Sequence, residues 1–205
     1  ILEELAAVQM HAIQTSGNCI RNITSDPFAG VAADEYVDPR PICELLRQWS
    51  TLHPEFAFLP RKFKIAVNSA AEDRTVLLCH DVGIELKRSD QGVLLANIYA
   101  GGGMGRTPML AELIKTDVPW QDLPAYLTAL LRVYNRHGRR DNIYKARIKI
   151  LVKALGVEEF AKQVEEEWAH TQTTYAPWTD ADWQRVVQHF SKPPYKKLPA
   201  VSQAE

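Results

Sequence analysis

An arginine and two lysines stand at the start of an apolar stretch of β character. The segment "LPRKFKIAV" at residues 59–67 contains Arg61, Lys62 and Lys64. Side chains alternate along a strand, so Lys62 and Lys64 share one face, and Arg61 and Phe63 share the other. Two adjacent ammonium groups repel each other, and burying them is costly unless an anion lies between them. The pattern indicates a site for an anionic ligand, with a solvated strand end as the alternative.

A glycine-rich run, "YAGGGMGRTP" at residues 99–108, forms the second candidate site. We expect it to follow a strand and precede a helix, with Thr107 and Pro108 at the N-cap and first turn of that helix. Backbone N–H groups in such a loop can bind a phosphate or a carboxylate. The spacing is not GxGxxG, and no P-loop lysine follows, so a β-to-α turn without a ligand is an equal alternative.

A basic run, "RHGRRDNIYKARIK" at residues 136–149, is predicted to form a helix and a turn. It is either a solvated face or a surface that binds carboxylates or phosphates. The formal net charge of the whole chain is −1, which argues against a surface built for nucleic acid. Any cationic site must therefore be local.

The overall composition predicts a globular domain in a reducing compartment. With 205 residues and 46% apolar residues, the chain can form one domain with a hydrophobic core. No apolar run reaches the roughly 18 residues of a membrane span. Cys19, Cys43 and Cys79 have no CxxC spacing, which favours reduced thiols in a cytoplasmic protein. Because the sequence starts at Ile1, we expect it to be part of a longer chain.

The hydrophobic periodicity predicts helices before and after a cluster of strands. Helices are expected near residues 1–14, 42–52, 106–116, 121–137, 143–155, 157–170 and 180–190. Three or four strands are expected between about residues 62 and 100, with a hairpin at Ser89–Gly92. This order predicts an α+β fold with a mixed or antiparallel sheet and helices packed on one face. The proline-containing stretch 191–205 is predicted to be a linker or tail.

Four of these segments, in this order, resemble the sirohaem and iron–sulfur nitrite and sulfite reductases in their catalytic half-repeat. They are "TSGNCIRNIT" at 15–24, "LPRKFKIAV" at 59–67, "GGGMGRTP" at 101–108 and "RRDNIYKARIKILV" at 139–152. The last of these resembles a basic helix of the family. The resemblance implies that residues 1–175 form a sirohaem- and anion-binding half-repeat, and that residues 176–205 form a helix and linker toward a second half.

The resemblance also implies which residues form the site. In this family sirohaem carries eight carboxylates on its rim and is joined to a [4Fe–4S] cluster through a cysteine sulfur. By resemblance, the residues that reach the substrate are Arg21, Lys62 and Lys64. By the same resemblance, the cofactor-binding residues are Thr15, Asn22, Arg61, Gly101, Gly102, Gly103, Arg106, Lys145 and Arg147. The implied reaction is the six-electron reduction of sulfite to sulfide, with nitrite to ammonia as a second possibility.

Lys64 and the cysteine pattern refine this expectation. Lys64 stands where nitrite reductases of the plant type tend to carry Asn, which favours sulfite as the substrate. The CxxxxxC and CxxxC motifs that hold the cluster in the family are absent, so no metal ligand is assigned in this chain, and the cluster cysteines are expected downstream. The segment alone is expected to be inactive.

The resemblance implies several partners: sulfite or nitrite, ferredoxin or an NADPH-dependent flavoprotein as electron donor, and the remaining half of the enzyme. Neither nucleic acid nor a membrane is an expected partner. Two further hypotheses stay open. The chain could be an interaction or dimerisation module without cofactor, since a lone half-repeat would expose an apolar face. It could also be a nucleotide- or flavin-binding domain that uses Gly101–Gly103 for a phosphate, although a βαβ frame is not convincing in the sequence.

Overall fold

The computed structural model describes residues 1–8 and 10–191. Within them, the α-helices are α1 (Leu2–Ala7), α2 (Arg40–Ser50), α3 (Leu123–His137), α4 (Ile148–Leu155), α5 (Val157–Thr174) and α6 (Asp180–Val187). The strands are β1 (Ile20–Ser25), β2 (Phe63–Asn68), β3 (Val82–Arg88), β4 (Leu94–Ala100) and β5 (Glu112–Pro119). None of the helices in this part of the chain combines the length and the apolar character that crossing a bilayer requires.

The strands form one mixed sheet in the order β1-β2-β3-β4-β5. Strands β1, β2 and β3 are parallel, whereas β3, β4 and β5 are antiparallel neighbours. Helix α2 connects the parallel strands β1 and β2, so the chain contains one βαβ crossover. The predicted α+β class with a mixed sheet is confirmed.

The two faces of the sheet differ in polarity because side chains alternate along each strand. The face toward the helices is apolar and belongs to the main core, with Phe63, Ile65, Val67, Val82, Ile84, Leu86, Ala96, Ile98 and Val118 among its members. Tyr134 of α3 packs on Phe63, with ring centroids 5.7 Å apart. The opposite face carries Asn22, Thr24, Lys64, Glu85, Lys87, Asn97 and Tyr99. One face of the sheet is therefore left for polar and charged groups.

The predicted helix at residues 106–116 is wrong. The segment after the glycine run forms the edge strand β5, which pairs with β4. Its branched residues favour an extended chain, and its buried positions, Ile114 and Val118, face the core. Gly103 and Met109 bridge the loop, so the chain turns back toward the sheet instead of starting a helix at Thr107.

Several other strands and helices differ from those that the hydrophobic periodicity predicts. Strand β1 was not predicted, because "CIRNIT" is short and carries only two branched apolar residues; its place in the sheet comes from pairing with β2. The apolar residues Leu77–Cys79 form a 3₁₀ turn ahead of β3, not a strand. Residues 143–155 divide into the 3₁₀ turn Ile143–Lys145 and helix α4. Helix α1 ends at Ala7, well before the predicted residue 14. Most of the predicted tail at 191–205 lies outside the described residues.

The last described helix packs on the same core as the sheet. Helix α6 contacts α2, and the rings of Trp183 and Trp120 meet edge-on with their centroids 5.3 Å apart. The Thr179 side chain accepts a hydrogen bond from the Asp182 N–H, and Asp182 accepts one from the Thr179 N–H, which caps α6. The division of the chain at residue 175 stays a prediction.

One arginine ties together the loops that follow β1 and β2. The Arg74 guanidinium donates to Asp26, 2.8 Å away, and to Asp34, also 2.8 Å away, and it forms a 3.1 Å ion pair with Glu72. The hydrogen bond from Arg74 lowers the pKa of Asp34 to about 2. The folded protein thus stabilises the ionised form of Asp34 relative to the unfolded chain.

We expect Arg74→Met to lower the urea midpoint at pH 7. The ionised Asp34 stabilises the folded state above its unfolded pKa of about 4, and this contribution disappears as the pH falls toward the folded pKa of about 2. The gap between the unaltered chain and Arg74→Met should therefore narrow between about pH 4 and pH 2. Lys162→Met is the control, since Lys162 is exposed. A gap that stays constant over this window would contradict the assignment.

Candidate functional site

The edge of the sheet at which β1, β2 and β3 begin and β4 ends brings the sequence motifs together. Asn22 of β1 pairs in register with Lys64 of β2, and the register shifts at Arg21. Lys62 lies directly before β2. Because the parallel strands start at the same edge, residues more than 40 positions apart become neighbours.

A buried ion pair lies at this edge. The Asp81 side chain is 1% exposed and precedes β3. Its Oδ1 atom accepts hydrogen bonds from Nε and Nη2 of Arg147, at 2.9 and 2.6 Å. Its Oδ2 atom accepts the backbone N–H of Lys64 at 3.0 Å, and its backbone carbonyl accepts the N–H of Gly101 at 3.0 Å. Asp81 thus connects the starts of β2 and β3 with the start of α4 and with the loop between β4 and β5. We call this loop, residues 101–111, the glycine loop.

Burial raises the pKa of the Asp81 carboxyl, and the charge of Arg147 and its hydrogen bonds oppose this shift. A buried carboxylate without its partner would carry a large desolvation penalty. The pair is therefore a structural requirement of the site.

Five cations interact electrostatically at this edge: Lys62 and the four whose charges act on it, Arg21, Arg61, Lys64 and Arg147. We call this group the cationic cluster. Partial burial lowers the pKa of Lys62, and so do the charges of the other four members. Within the part of the chain that the structure describes, only Arg147 has an ion-pair partner among these five. The cluster therefore has an excess of positive charge, which an anion would neutralise.

The glycine loop lies against the same structure. A Cβ atom on Gly102 would come within 2.3 Å of the carbonyl oxygens of Leu78 and His80, and one on Gly103 would lie 2.6 Å from Nη2 of Arg147. Glycine is required at position 102 because backbone atoms leave no space for a side chain, and it is favoured at position 103 by a φ of +150°, which other residues rarely adopt. The predicted helix N-terminus after the loop is absent, so any anion bound here would be held by loop amides and side chains.

The other predicted site residues have different surroundings. Asn22 neighbours Lys64, as described. The Thr15 hydroxyl donates to the carbonyl of Ala12, and Arg106 and Lys145 are exposed. The structure records no contact between the side chains of these last three residues and the cationic cluster. Lys145 and Arg147 were expected on one helix, and the structure differs. Lys145 ends a 3₁₀ turn that Asn142 caps, and Arg147 directly precedes the first turn of α4.

Three polar residues of this region are not among the site residues predicted from the sequence. Asp81 is the counter-ion of Arg147, Nε2 of His80 lies 3.4 Å from Oγ1 of Thr24, and Lys149 is buried against the glycine loop. The signal for Asp81 was a carboxylate within the apolar stretch "TVLLCHDVGIEL". A charge in such a stretch requires a partner, but only the fold shows that the partner is Arg147.

The cysteines do not form a metal site. Cys19, Cys43 and Cys79 are free, and burial raises the pKa of the Cys19 and Cys43 thiols, that of Cys43 to about 12. A cluster ligand must be a thiolate, which burial disfavours. Among the described residues there is no grouping of three or more Cys, His, Asp or Glu that could hold a metal ion. The cysteines of this chain therefore do not fit a [4Fe–4S] cluster.

Comparison with known proteins identifies one family. Residues 16–172 match the family described as "Nitrite and sulphite reductase 4Fe-4S domain". The chain is 33% identical over 180 residues to "Sulfite reductase [ferredoxin] 1" of Mycolicibacterium paratuberculosis, which covers 86% of this chain and 32% of that protein. It is 30% identical over 191 residues to "Ferredoxin--nitrite reductase" of Leptolyngbya laminosa, with coverage of 89% and 37%.

Solved structures agree with this relationship. The "NirA protein" of Mycobacterium tuberculosis superposes with a TM-score of 0.73 at 28% identity, over 82% of this chain and 31% of that chain. A dissimilatory sulfite reductase I has a TM-score of 0.58 at 12% identity, over 93% and 58%, which shows the fold alone. The chain spans about a third of the length of the curated relatives it matches.

We expect Arg147→Met to destabilise the chain by about 3 kcal/mol in urea unfolding at pH 7, because it leaves the buried Asp81 carboxylate without a partner. The loss should shrink as the pH falls, since protonation removes the unpaired charge. The double variant Asp81→Asn/Arg147→Met should be more stable than Arg147→Met alone. Lys145→Met, at an exposed neighbour, should change stability by less than about 0.5 kcal/mol. A double variant no more stable than Arg147→Met would show that the two side chains are not coupled.

Proposed function

Because this chain belongs to the nitrite and sulphite reductase 4Fe-4S domain family, we propose that it is a segment of a sirohaem-dependent oxidoreductase that reduces sulfite or nitrite. The observation that carries this proposal is the cationic cluster: five neighbouring cations, of which only Arg147 forms an ion pair within the described residues, with Asp81. Such a group suits a ligand with several negative charges. The relatives of this chain are named as reductases of both anions.

The residues present fit the anionic rim of sirohaem. Arginine and lysine are the side chains that pair with carboxylates, and the cluster presents both types with little internal neutralisation. We assign Arg61 and Arg147 to the rim, together with Asn22 and residues Gly101–Gly103 of the glycine loop. Thr15, Arg106 and Lys145 are assigned to the rim on the family resemblance alone. When bound, sirohaem and its iron–sulfur cluster supply the redox chemistry, whereas the protein supplies binding and protons.

Arg21, Lys62 and Lys64 are assigned to the substrate anion. Their positive charges would favour sulfite binding and would stabilise the negative charge that develops on oxygen as it leaves. The ammonium group of Lys62 is suited to proton transfer, because partial burial and four neighbouring cations lower its pKa and so ease the loss of a proton from Nζ. Each oxygen that leaves as water requires protons, so such a donor has a direct role.

Sulfite is the substrate that we favour. Lys64 is exposed on the polar face of the sheet, and its backbone N–H is bound to Asp81, which fixes where the side chain starts. A second lysine beside Lys62 benefits a dianion more than a monoanion, because each added cation attracts a doubly charged ligand about twice as strongly. Nitrite, with one charge, depends less on this position.

The rest of the reductase would supply what this chain lacks. We propose that the [4Fe–4S] ligands come from another part of the enzyme, and that ferredoxin is the electron donor, since the relatives are named for it. Three free thiols fit a reducing compartment, and we place the protein in the cytoplasm. The nucleotide-binding alternative has lost its main premise, because the glycine loop leads into β5 and not into a helix.

We expect the purified chain to bind uroporphyrin, an iron-free macrocycle with eight carboxylates, with an affinity that falls as salt is added. Arg61→Gln/Lys62→Gln should weaken binding by about tenfold or more, because two charge-assisted contacts are lost. Fluorescence anisotropy measures the Kd. The matched control is Arg185→Gln/Lys162→Gln, which removes an exposed arginine and an exposed lysine from helices α6 and α5. Equal losses in both double variants would mean that net charge, not this site, drives binding.

In the sirohaem-loaded holoenzyme, Lys64→Asn should lower kcat/KM for sulfite by about ten- to a hundredfold and should affect nitrite less. Lys62→Ala should impair both substrates, since Lys62 serves anion binding and proton supply alike. Absorbance must show equal sirohaem content in each variant. If the ratio of the two kcat/KM values is unchanged in Lys64→Asn at full loading, sulfite preference does not arise at this residue.

A further inference from the structure

Lys149 of α4 is a buried lysine whose side chain ends against the glycine loop. It is 6% exposed, and burial lowers its pKa, as does the nearby charge of Arg147. Its Nζ atom donates to the carbonyl oxygens of Gly103 and Met104, both at 3.2 Å, and to that of Thr107 at 2.5 Å. An ammonium group has three N–H donors, so these bonds use its full capacity. Unlike Lys62 and Lys64, Lys149 has no donor left for a ligand.

The bonds to Lys149 contribute to the orientation of the loop amides, and the Gly103 carbonyl also accepts the N–H of Met109 at 3.0 Å. The C=O and N–H groups of a trans peptide point in opposite directions, and the described part of the chain has no cis peptide. The carbonyls of Gly103 and Met104 point toward Lys149, so the N–H groups of Met104 and Gly105 point away from it. Within the described residues these two N–H groups have no hydrogen-bond acceptor. Two successive outward N–H groups form the kind of concavity that binds anions.

The start of helix α4 contacts both the cationic cluster and the glycine loop. Arg147 and Lys149 stand at the start of α4, where Arg147 bonds to Asp81 and Lys149 bonds to the loop carbonyls. The loop meets the cluster directly, since Gly103 leaves no space for a Cβ atom beside the Arg147 guanidinium. The hydrogen bonds between Gly103 and Met109, at 2.9 and 3.0 Å, close the loop on the other side. The position of the loop relative to the cluster therefore depends on α4.

We propose that Lys149 is a positioning residue of the anion site: it holds the carbonyls of the glycine loop so that the N–H groups of Met104 and Gly105 are presented to a carboxylate. The identity of that carboxylate, on a macrocyclic ligand, rests on the proposed function. The ordering of the loop by Lys149 does not, because it follows from contacts within the chain.

Amide hydrogen exchange tests the ordering of the loop without any ligand. In Lys149→Met the exchange of the Gly103 and Met109 amides should accelerate by about tenfold or more, because the loop loses three hydrogen bonds to a cation. The amides of Ile84 and Ile98 in the centre of the sheet should keep their protection, which shows that the fold is intact. Lys153→Met is the matched control: it removes the same charge one turn further along α4, where the side chain is exposed. It should change loop exchange by less than about twofold.

A second variant and a measurement on the unaltered chain keep the test decisive if Lys149→Met does not fold. Lys149→Arg retains the charge and should restore part of the loop protection. In the unaltered chain, NMR of the lysine ammonium groups should show the Lys149 protons exchanging with water about tenfold more slowly than those of Lys153, because three carbonyls hold them. Loop exchange unchanged in a folded Lys149→Met, or Lys149 ammonium protons that exchange as fast as those of Lys153, would overturn the proposal.

Uroporphyrin binding then tests the link to the anion site. Lys149→Met should weaken binding by about tenfold, whereas Lys162→Met, at an exposed lysine of α5, should leave the Kd within about twofold of the original value. An unchanged Kd in Lys149→Met, with a loop that has become mobile by hydrogen exchange, would refute the role of the loop amides in anion binding. If the unaltered chain itself does not bind uroporphyrin, the proposed function fails, and the exchange measurements still decide whether Lys149 orders the loop.

Discussion

The buried pair of Asp81 and Arg147 is the interaction on which the site depends. Asp81 is the one carboxylate that the structure pairs with the cationic cluster within the described residues, and it bonds to groups from β2, the glycine loop and the segment before α4. A buried ion pair contributes little net stability, because desolvation offsets most of its attraction. Its effect here is on geometry: a buried charge must keep its partner, so the elements that carry the partners are held in one arrangement.

The shortage of carboxylates beside the cationic cluster distinguishes the site from other charged regions of the molecule. Arg132 forms ion pairs with Glu55 at 2.8 Å and with Glu167 at 3.1 Å, and Arg74 is surrounded by three carboxylates. Those arginines are neutralised by the protein and serve to join its loops and helices. At the cationic cluster the ratio is reversed, with several cations for one carboxylate. The deficit of negative charge is what a bound anion would supply, and it explains why binding and stability place opposite demands on these residues.

The spacing of apolar residues correctly predicted the helices and strands that bury a single face. The spacing of apolar residues in α2 and α5, and the alternation in β4, follow from how each element meets the core, so the sequence predicts them. The same reasoning failed at residues 106–116, where β5 forms because its partner β4 offers an unpaired edge. It also failed for β1, whose partner is β2, about 40 positions along the chain. A strand is stabilised by its neighbour, and the neighbour is not visible in a local window.

The sequence by itself determined the types of the cationic residues, the order of the four motifs and, through them, the family. These depend on which side chains are present and on spacings along one strand or turn. Only the tertiary structure decided that Arg21, Lys62 and Lys64 meet at one edge of the sheet, that Asp81 pairs with Arg147, and that Lys149 binds the loop carbonyls. Each of these contacts joins residues distant in sequence, and hydrogen bonds and charge pairing act over a few ångströms in space, whatever the separation along the chain.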